Sequence, residues 1–165
     1  MRQVTITFKR EDLLYDIANY SFVEGDLMEV SDEHQRHQAI DVCEDGNIER
    51  VNRVLGLAYS EVVESMYPYT KKECEDEEVR DNGMVVPESS VVVMSVPDEF
   101  ASSTVDLLTN LIHEYLVCRV VGDWMSITNP KSRAAWDEKA EYARMKMRGC
   151  VNSRMVRLRR KMSPW

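Results

Sequence analysis

The sequence predicts a mainly α fold: an antiparallel helical bundle with a small β-hairpin appendage and a long basic C-terminal helix, formed by residues 1–165 as a single domain. Apolar residues recur at three- and four-residue spacing over 48–66 and again over 130–162, which indicates two amphipathic helices. A nearly continuous apolar run, 115–121, is typical of a helix that other helices surround. The composition, 44% apolar and 30% charged, is typical of a globular chain.

The N-terminal part predicts one strand followed by helices. Residues 3–9 alternate apolar and polar side chains, as a half-buried strand does. Residues 10–24 have apolar positions at helical spacing, and we expect Gly25 to end that helix. The amphipathic helix over 48–66 is expected to stop at Pro68, because proline interrupts helical hydrogen bonding.

The middle of the chain predicts an acidic loop, residues 71–83, followed by a strand pair, residues 84–96. Valine-rich segments at 84–86 and 90–96 flank Pro87, which favours a β-hairpin or a pair of short strands. The loop acids either serve solubility or form an acidic rim or channel lining along which DNA slides without binding. These acids are Glu73, Glu75, Asp76, Glu77 and Glu78.

The C-terminal part predicts two helices separated by a short break. Pro97 and the two acids after it are a helix-start signal, and the helix is expected to reach about Ser126. Asn129-Pro130 is a strong boundary, because proline suits the first position of a helix. The basic C-terminal helix is then predicted over 130–162.

Charge is distributed unevenly along the chain. Residues 1–142 carry 13 Lys/Arg and all 29 Asp/Glu, a net charge of −16, whereas residues 143–165 carry eight Lys/Arg and no acid, a net charge of +8. Such polarity favours contact between the C-terminal segment and an acidic protein surface, on a partner or on the next copy of the chain. The predicted partner-binding residues are Arg144, Lys146, Arg148, Arg154, Arg157, Arg159, Arg160, Lys161 and Trp165.

The alternative for this basic segment is contact with DNA phosphates, as in a DNA-binding regulator or a packaging accessory. The acidic body disfavours it, because like charges repel phosphates. Trp165 is also the only aromatic residue of the segment that could stack on a base. We therefore expect no specific nucleic-acid recognition.

Nothing in the sequence predicts catalysis, a metal or a cofactor. His34 and His37 could share a metal, but no third ligand is spaced to join them. His113-Glu114 is an enzyme hypothesis, as an acid–base pair, and the alternative is a pair facing a neighbouring helix or solvent. Phosphate-binding loops, nucleophile elbows and zinc-protease signatures are missing from the sequence.

Cysteine spacing and hydropathy predict a reduced environment. The four cysteines form no CxxC pair and are interpreted as free thiols: Cys43, Cys74, Cys118 and Cys150. The longest apolar runs are far too short to span a bilayer, and residues 1–10 lack the apolar core of a signal peptide. We expect the cytoplasm of the producing cell as the location, with no membrane partner.

Two segments of the helical part carry a resemblance to a known class of proteins. The first is Tyr15-Asp16-Ile17-Ala18-Asn19-Tyr20 with Val23-Glu24-Gly25-Asp26, and the second is residues 115–130, with Trp124 near the break between two helices. Together with the basic last helix, they resemble the head-to-tail connector (adaptor, head-completion) proteins of tailed bacteriophages of gut Bacteroides-type hosts. The resemblance covers residues 10–66 and 98–160.

This resemblance implies a structural virion protein. Such subunits form an oligomeric ring, commonly a dodecamer, beneath the portal protein, where the ring extends the DNA channel and offers a docking surface to tail or neck proteins. The resemblance places this chain at the head–tail junction of the virion, and in the host cytoplasm during assembly. By analogy, residues 144–162 would reach the portal or a neighbouring subunit. The acidic loop and the valine-rich strands depart from a minimal helical connector.

Overall fold

The structure is a computed structural model that describes residues 1–28 and 33–152. Its helices pack around α4, and a two-stranded sheet covers one side of the core. The mainly α class with a small antiparallel β element is as predicted. In chain order the elements are β1 (Arg2–Lys9), α1 (Arg10–Leu27), α2 (Glu33–Ile40), a 3-10 turn (Asp41–Cys43), α3 (Ile48–Ser65), β2 (Ser89–Val96), α4 (Ser102–Thr128) and α5 (Pro130–Asn152).

The central helix is α4, which contacts α1, α2, α3 and α5. From Tyr115 to Val121 every side chain except that of Arg119 is buried, so this stretch is enclosed on nearly all sides, as its continuous apolar character predicted. Gly122 allows α5 to approach closely, because a Cβ there would lie 2.9 Å from Asp137 Oδ1 and 3.4 Å from Trp136 Cβ.

The flanking helices bury the apolar stripes that their sequences predicted. On α3 the stripe consists of Val51, Leu55, Ala58 and Val62, and on α5 it consists of Trp136, Ala140, Ala143, Met147 and Val151. The α5 boundary at Pro130 is also confirmed. The predicted continuation of that helix from 153 to 162 lies outside the described residues.

The first helix is longer than predicted. We expected Gly25 to end it, but α1 continues to Leu27 and Gly25 is buried within it. The reason is packing: Gly25 faces Ile40 of α2, where a Cβ would lie 2.6 Å from Ile40 Cγ1. This glycine serves close approach between helices and not chain termination.

The predicted strand partner was wrong. Residues 84–86 form no strand, and β2 pairs antiparallel with β1, with Val92 opposite Ile6 and Met94 opposite Val4. The inward-facing side chains of the two strands complete one apolar layer on the helices, which residues 84–86 do not offer.

The start of α4 also differs. The helix begins at Ser102 and not at Pro97, because residues 97–100 form a turn in which the Phe100 N–H donates to the Pro97 carbonyl at 3.1 Å. That turn carries Phe100 into the core, where 4% of its surface stays exposed. Among the helices within 1–28 and 33–152, none combines the length and apolar character needed to cross a bilayer.

Candidate partner-binding surface

The basic end of α5 projects three of the predicted partner-binding cations within the described residues: Arg144, Lys146 and Arg148. Positions 154, 157, 159, 160, 161 and 165 lie outside the described residues. The α5 stripe of Ala143, Met147 and Val151 is buried, so the helix is fixed to the body by one face. The three cations therefore lie on the remaining surface of the helix.

Arg144 is held by its own helix. Its Nη2 donates to Glu141 Oε1 at 2.8 Å and its Nε donates to the same oxygen at 3.3 Å. That hydrogen bond raises the pKa of Arg144, and burial acts in the opposite direction. Because Glu141 already compensates this charge, Arg144 offers less to a partner than the sequence alone suggested.

Lys146 and Arg148 have no carboxylate partner among the residues that the structure describes. Both are exposed. Lys146 Nζ lies 5.4 Å from the centroid of the Tyr142 ring, a cation–π contact on the helix surface. These two charges are therefore available to an acidic surface.

The body adds two cations that the sequence analysis did not assign to the site. Lys71 and Lys72 border the same shallow depression as Arg148, next to the C-terminal end of α3. Lys71 Nζ lies 3.7 Å from Glu73 Oε1, at the start of the acidic loop. We call Lys71, Lys72 and Arg148 the basic end patch. The adjacent Lys71-Lys72 pair was the available signal, but no local pattern placed it beside residue 148.

The acidic loop is exposed, as predicted. Residues 71–83 contain no helix or strand, and Glu73, Glu75, Asp76 and Glu77 are all exposed. The fifth acid, Glu78, is exposed as well, and it accepts a hydrogen bond from Arg80 Nε at 2.6 Å, which lowers its pKa. The loop begins directly at the basic end patch, so opposite charges adjoin on one side of the molecule.

The two histidine hypotheses have different outcomes. In the described part of the chain, no three His, Cys, Asp or Glu side chains lie close enough together to hold a metal ion, so nothing there completes a site for His34 and His37. His113 Nε2 instead lies 2.6 Å from Asp16 Oδ2 of α1. Glu114 accepts from the Cys118 thiol, with a distance of 3.4 Å between Sγ and Oε1. His113 and Glu114 therefore face different partners.

A further polar cluster joins α3 to α4. Tyr115 Oη donates to Glu61 Oε2 at 2.5 Å, and Arg119 Nε donates to the same oxygen at 3.2 Å. Burial, and then the hydrogen bond to Glu61, raise the pKa of Tyr115. Since one carboxylate oxygen is satisfied by two donors on the neighbouring helix, the cluster stabilises helix packing.

Comparison with known proteins identifies no relative: no protein-family model, curated protein or solved structure is significantly similar to this chain. The interpretation of the basic end patch and the C-terminal segment therefore depends on the chain's own residues.

Proposed function

We propose that this chain is a structural, non-catalytic virion subunit: a head-to-tail connector that assembles into a ring between the portal and the tail, with DNA passing through. The C-terminal segment is the docking element, and it binds an acidic surface of a neighbouring copy or of a portal or neck protein. Charged contacts of this kind between different faces of identical copies close into a ring when the rotation permits.

The observation that carries the proposal is the charge segregation. The first 142 residues have a net charge of −16 and the last 23 have +8 without a single acid. Opposite charges on separate parts of one chain favour encounter between the end of one copy and the body of another. The packing of α5 supports this, because its buried stripe fixes the base of the segment while Lys146 and Arg148 stay exposed.

The packing of α5 determines which deletion of the C-terminal segment leaves the core intact. Deletion from residue 144 would remove Met147 and Val151, which are 0% and 4% exposed, and so would damage the core. Deletion of residues 153–165 leaves every described residue of α5 in place. That truncation therefore tests docking while every described buried residue of the core is kept.

The test compares two sets of substitutions that remove the same charge. In the C-terminal variant Arg157, Arg159 and Arg160 are changed to Gln. In the control the exposed body cations Lys9, Arg53 and Lys131 are changed to Gln. Sedimentation velocity at low and moderate salt measures the oligomeric state. We expect the wild type and the control to form an oligomer that dissociates as salt rises. The C-terminal variant and the 153–165 deletion are expected to stay folded and monomeric.

Two outcomes would contradict the proposal. One is a wild-type chain that stays monomeric under all these conditions and is not incorporated into phage virions. The other is a chain lacking residues 153–165 that forms oligomers and is incorporated into phage virions as the wild type is.

A further inference from the structure

A partly enclosed cavity lies between the start of α1, the middle of α3 and the segment that leads into β2. Its volume is about 350 Å³, within the range of small-molecule sites, which begins near 300 Å³. The walls are mostly apolar and include Leu55, Tyr59, Val85, Val86, Pro87 and Val91. Tyr59 Oη donates to the Val91 carbonyl at 2.7 Å, which ties α3 to β2 across the wall.

The cavity wall contains a cation without a partner. Arg10 is only partly exposed, and its side chain makes no ion pair or hydrogen bond with any residue that the structure describes. Its Nε is buried and unsatisfied. The Asn52 Oδ1 of the same wall is also unsatisfied, but as an acceptor it needs a donor and does not itself bind an anion. Most such groups in folded proteins are paired, and an unpaired buried polar atom is costly. A guanidinium in an apolar wall is therefore poised for an anion.

We propose that this cavity binds a carboxylate that carries an apolar chain, of the medium-chain fatty-acid type. The carboxylate accepts hydrogen bonds from Arg10, whose planar guanidinium suits that group. The apolar chain lies against Leu55, Val85 and Val86. A single cation in apolar walls fits a monoanion with an apolar body better than it fits a phosphate-rich ligand. This site is independent of the proposed connector function.

One glycine provides a sharp test, because it lines the cavity with open space in front of it. A Cβ built on Gly56 meets no atom within 4 Å, and the same is true of Gly149, which lies on α5 away from the cavity. Gly56→Leu therefore adds a bulky side chain at the cavity wall without displacing the backbone, and Gly149→Leu is the matched control. Both replace an exposed helical glycine with a better helix former, so both chains are expected to fold.

The probes are decanoate and uncharged decanol, with binding measured by calorimetry and folding checked by circular dichroism. We expect the wild type and Gly149→Leu to bind decanoate and to melt at a higher temperature in its presence. Gly56→Leu should lose at least about tenfold in affinity for both probes. Arg10→Met should lose about tenfold or more for decanoate, the loss of a charged hydrogen bond, and should bind decanol as the wild type does.

Three results would overturn the proposal. The first is a folded wild type that does not bind decanoate, which would leave the cavity to an apolar side chain of a partner protein. The second is equal binding by Gly56→Leu and Gly149→Leu. The third is an Arg10→Met variant that binds decanoate as tightly as the wild type.

Discussion

Cys118 shows how burial controls a single ionisable group in this protein. Its side chain is fully buried in α4, beside Glu114. Burial, and then the negative charge of Glu114, raise the pKa of the thiol to about 12. In the unfolded chain a cysteine titrates near a pKa of about 8.5. The folded chain therefore holds this proton more tightly than the unfolded chain does.

This difference predicts a loss of stability in alkali. The contribution of the protonated thiol to the free energy of unfolding is fully present below the thiol pKa of the unfolded chain. It decreases as pH rises from that pKa toward the pKa of the folded chain, by up to about 1.4 kcal/mol per pH unit. Urea unfolding under reducing conditions, between about pH 8 and pH 10, measures this slope. We expect Cys118→Ala to flatten the slope, and Cys74→Ala, at an exposed position, to leave it unchanged. Equal slopes for the wild type and Cys118→Ala would contradict the interpretation.

Gly25 gives a second prediction at the scale of one residue. A Cβ there would lie 2.6 Å from Ile40 Cγ1 and 3.4 Å from the Arg36 carbonyl oxygen, so the Ile40 side chain or α2 would have to shift. Overpacking costs about 1–3 kcal/mol, more than the helix propensity that alanine adds. We expect Gly25→Ala to lower the free energy of unfolding and Gly149→Ala, in open space, to raise it by about 0.5–1 kcal/mol. Urea denaturation compares them, and a stabilised Gly25→Ala would exclude the close contact.

At the scale of elements, the sequence predicted the helices well because their information is local. The stripes of α3 and α5 and the enclosed run of α4 follow from apolar spacing alone. The pairing of β1 with β2 joins residues nearly 90 positions apart, such as Thr5 and Val93, and no local pattern contains it. The valine-rich segment at 84–86 fitted a neighbouring strand equally well in the sequence. Whether β2 pairs with β1 or with residues 84–86 depends on which of the two segments completes the core.

That long-range pairing predicts a specific disulfide. The Ser95 N–H donates to the Tyr69 carbonyl, so it points away from β1. The Arg10 N–H, one residue after β1, instead donates across the pair to the Glu88 carbonyl. Odd-numbered residues of β1 therefore form the pairs without mutual backbone hydrogen bonds, in which side chains approach most closely. Thr5 and Val93 are one such pair.

Cysteines at these two positions are expected to have the short Cβ separation that a disulfide requires. We expect a chain with Thr5→Cys and Val93→Cys, in a Cys74→Ala background, to form this bond on mild oxidation, as mapped by peptide mass spectrometry. Thr5→Cys with Ser89→Cys is the control, because Ser89 lies opposite Lys9. A bond in the control, or none in the Thr5–Val93 chain, would contradict the register.

At the scale of the whole molecule, the sequence predicted the charges of the site but not their arrangement. The excess of cations after residue 143 can be read directly. The ion pair of Arg144 with Glu141 follows helical spacing and could have been anticipated. The position of Lys71 and Lys72 beside Arg148 depends on how α5 packs against the end of α3, so it required the three-dimensional structure.

The overall charge distribution also separates the connector from a DNA-binding regulator. Phosphate binding is electrostatic, and a body with a net charge of −16 opposes the +8 of residues 143–165. We expect the whole chain not to be retained on duplex DNA at physiological salt, and a synthetic peptide of residues 143–165 to be retained and released as salt rises. Changing Glu73, Glu75 and Glu77 to Gln in the whole chain should increase retention, because these acids are exposed and repel phosphates. If the whole chain bound DNA more tightly than the peptide, the body would have to supply phosphate contacts of its own. The DNA-binding regulator would then be the better interpretation.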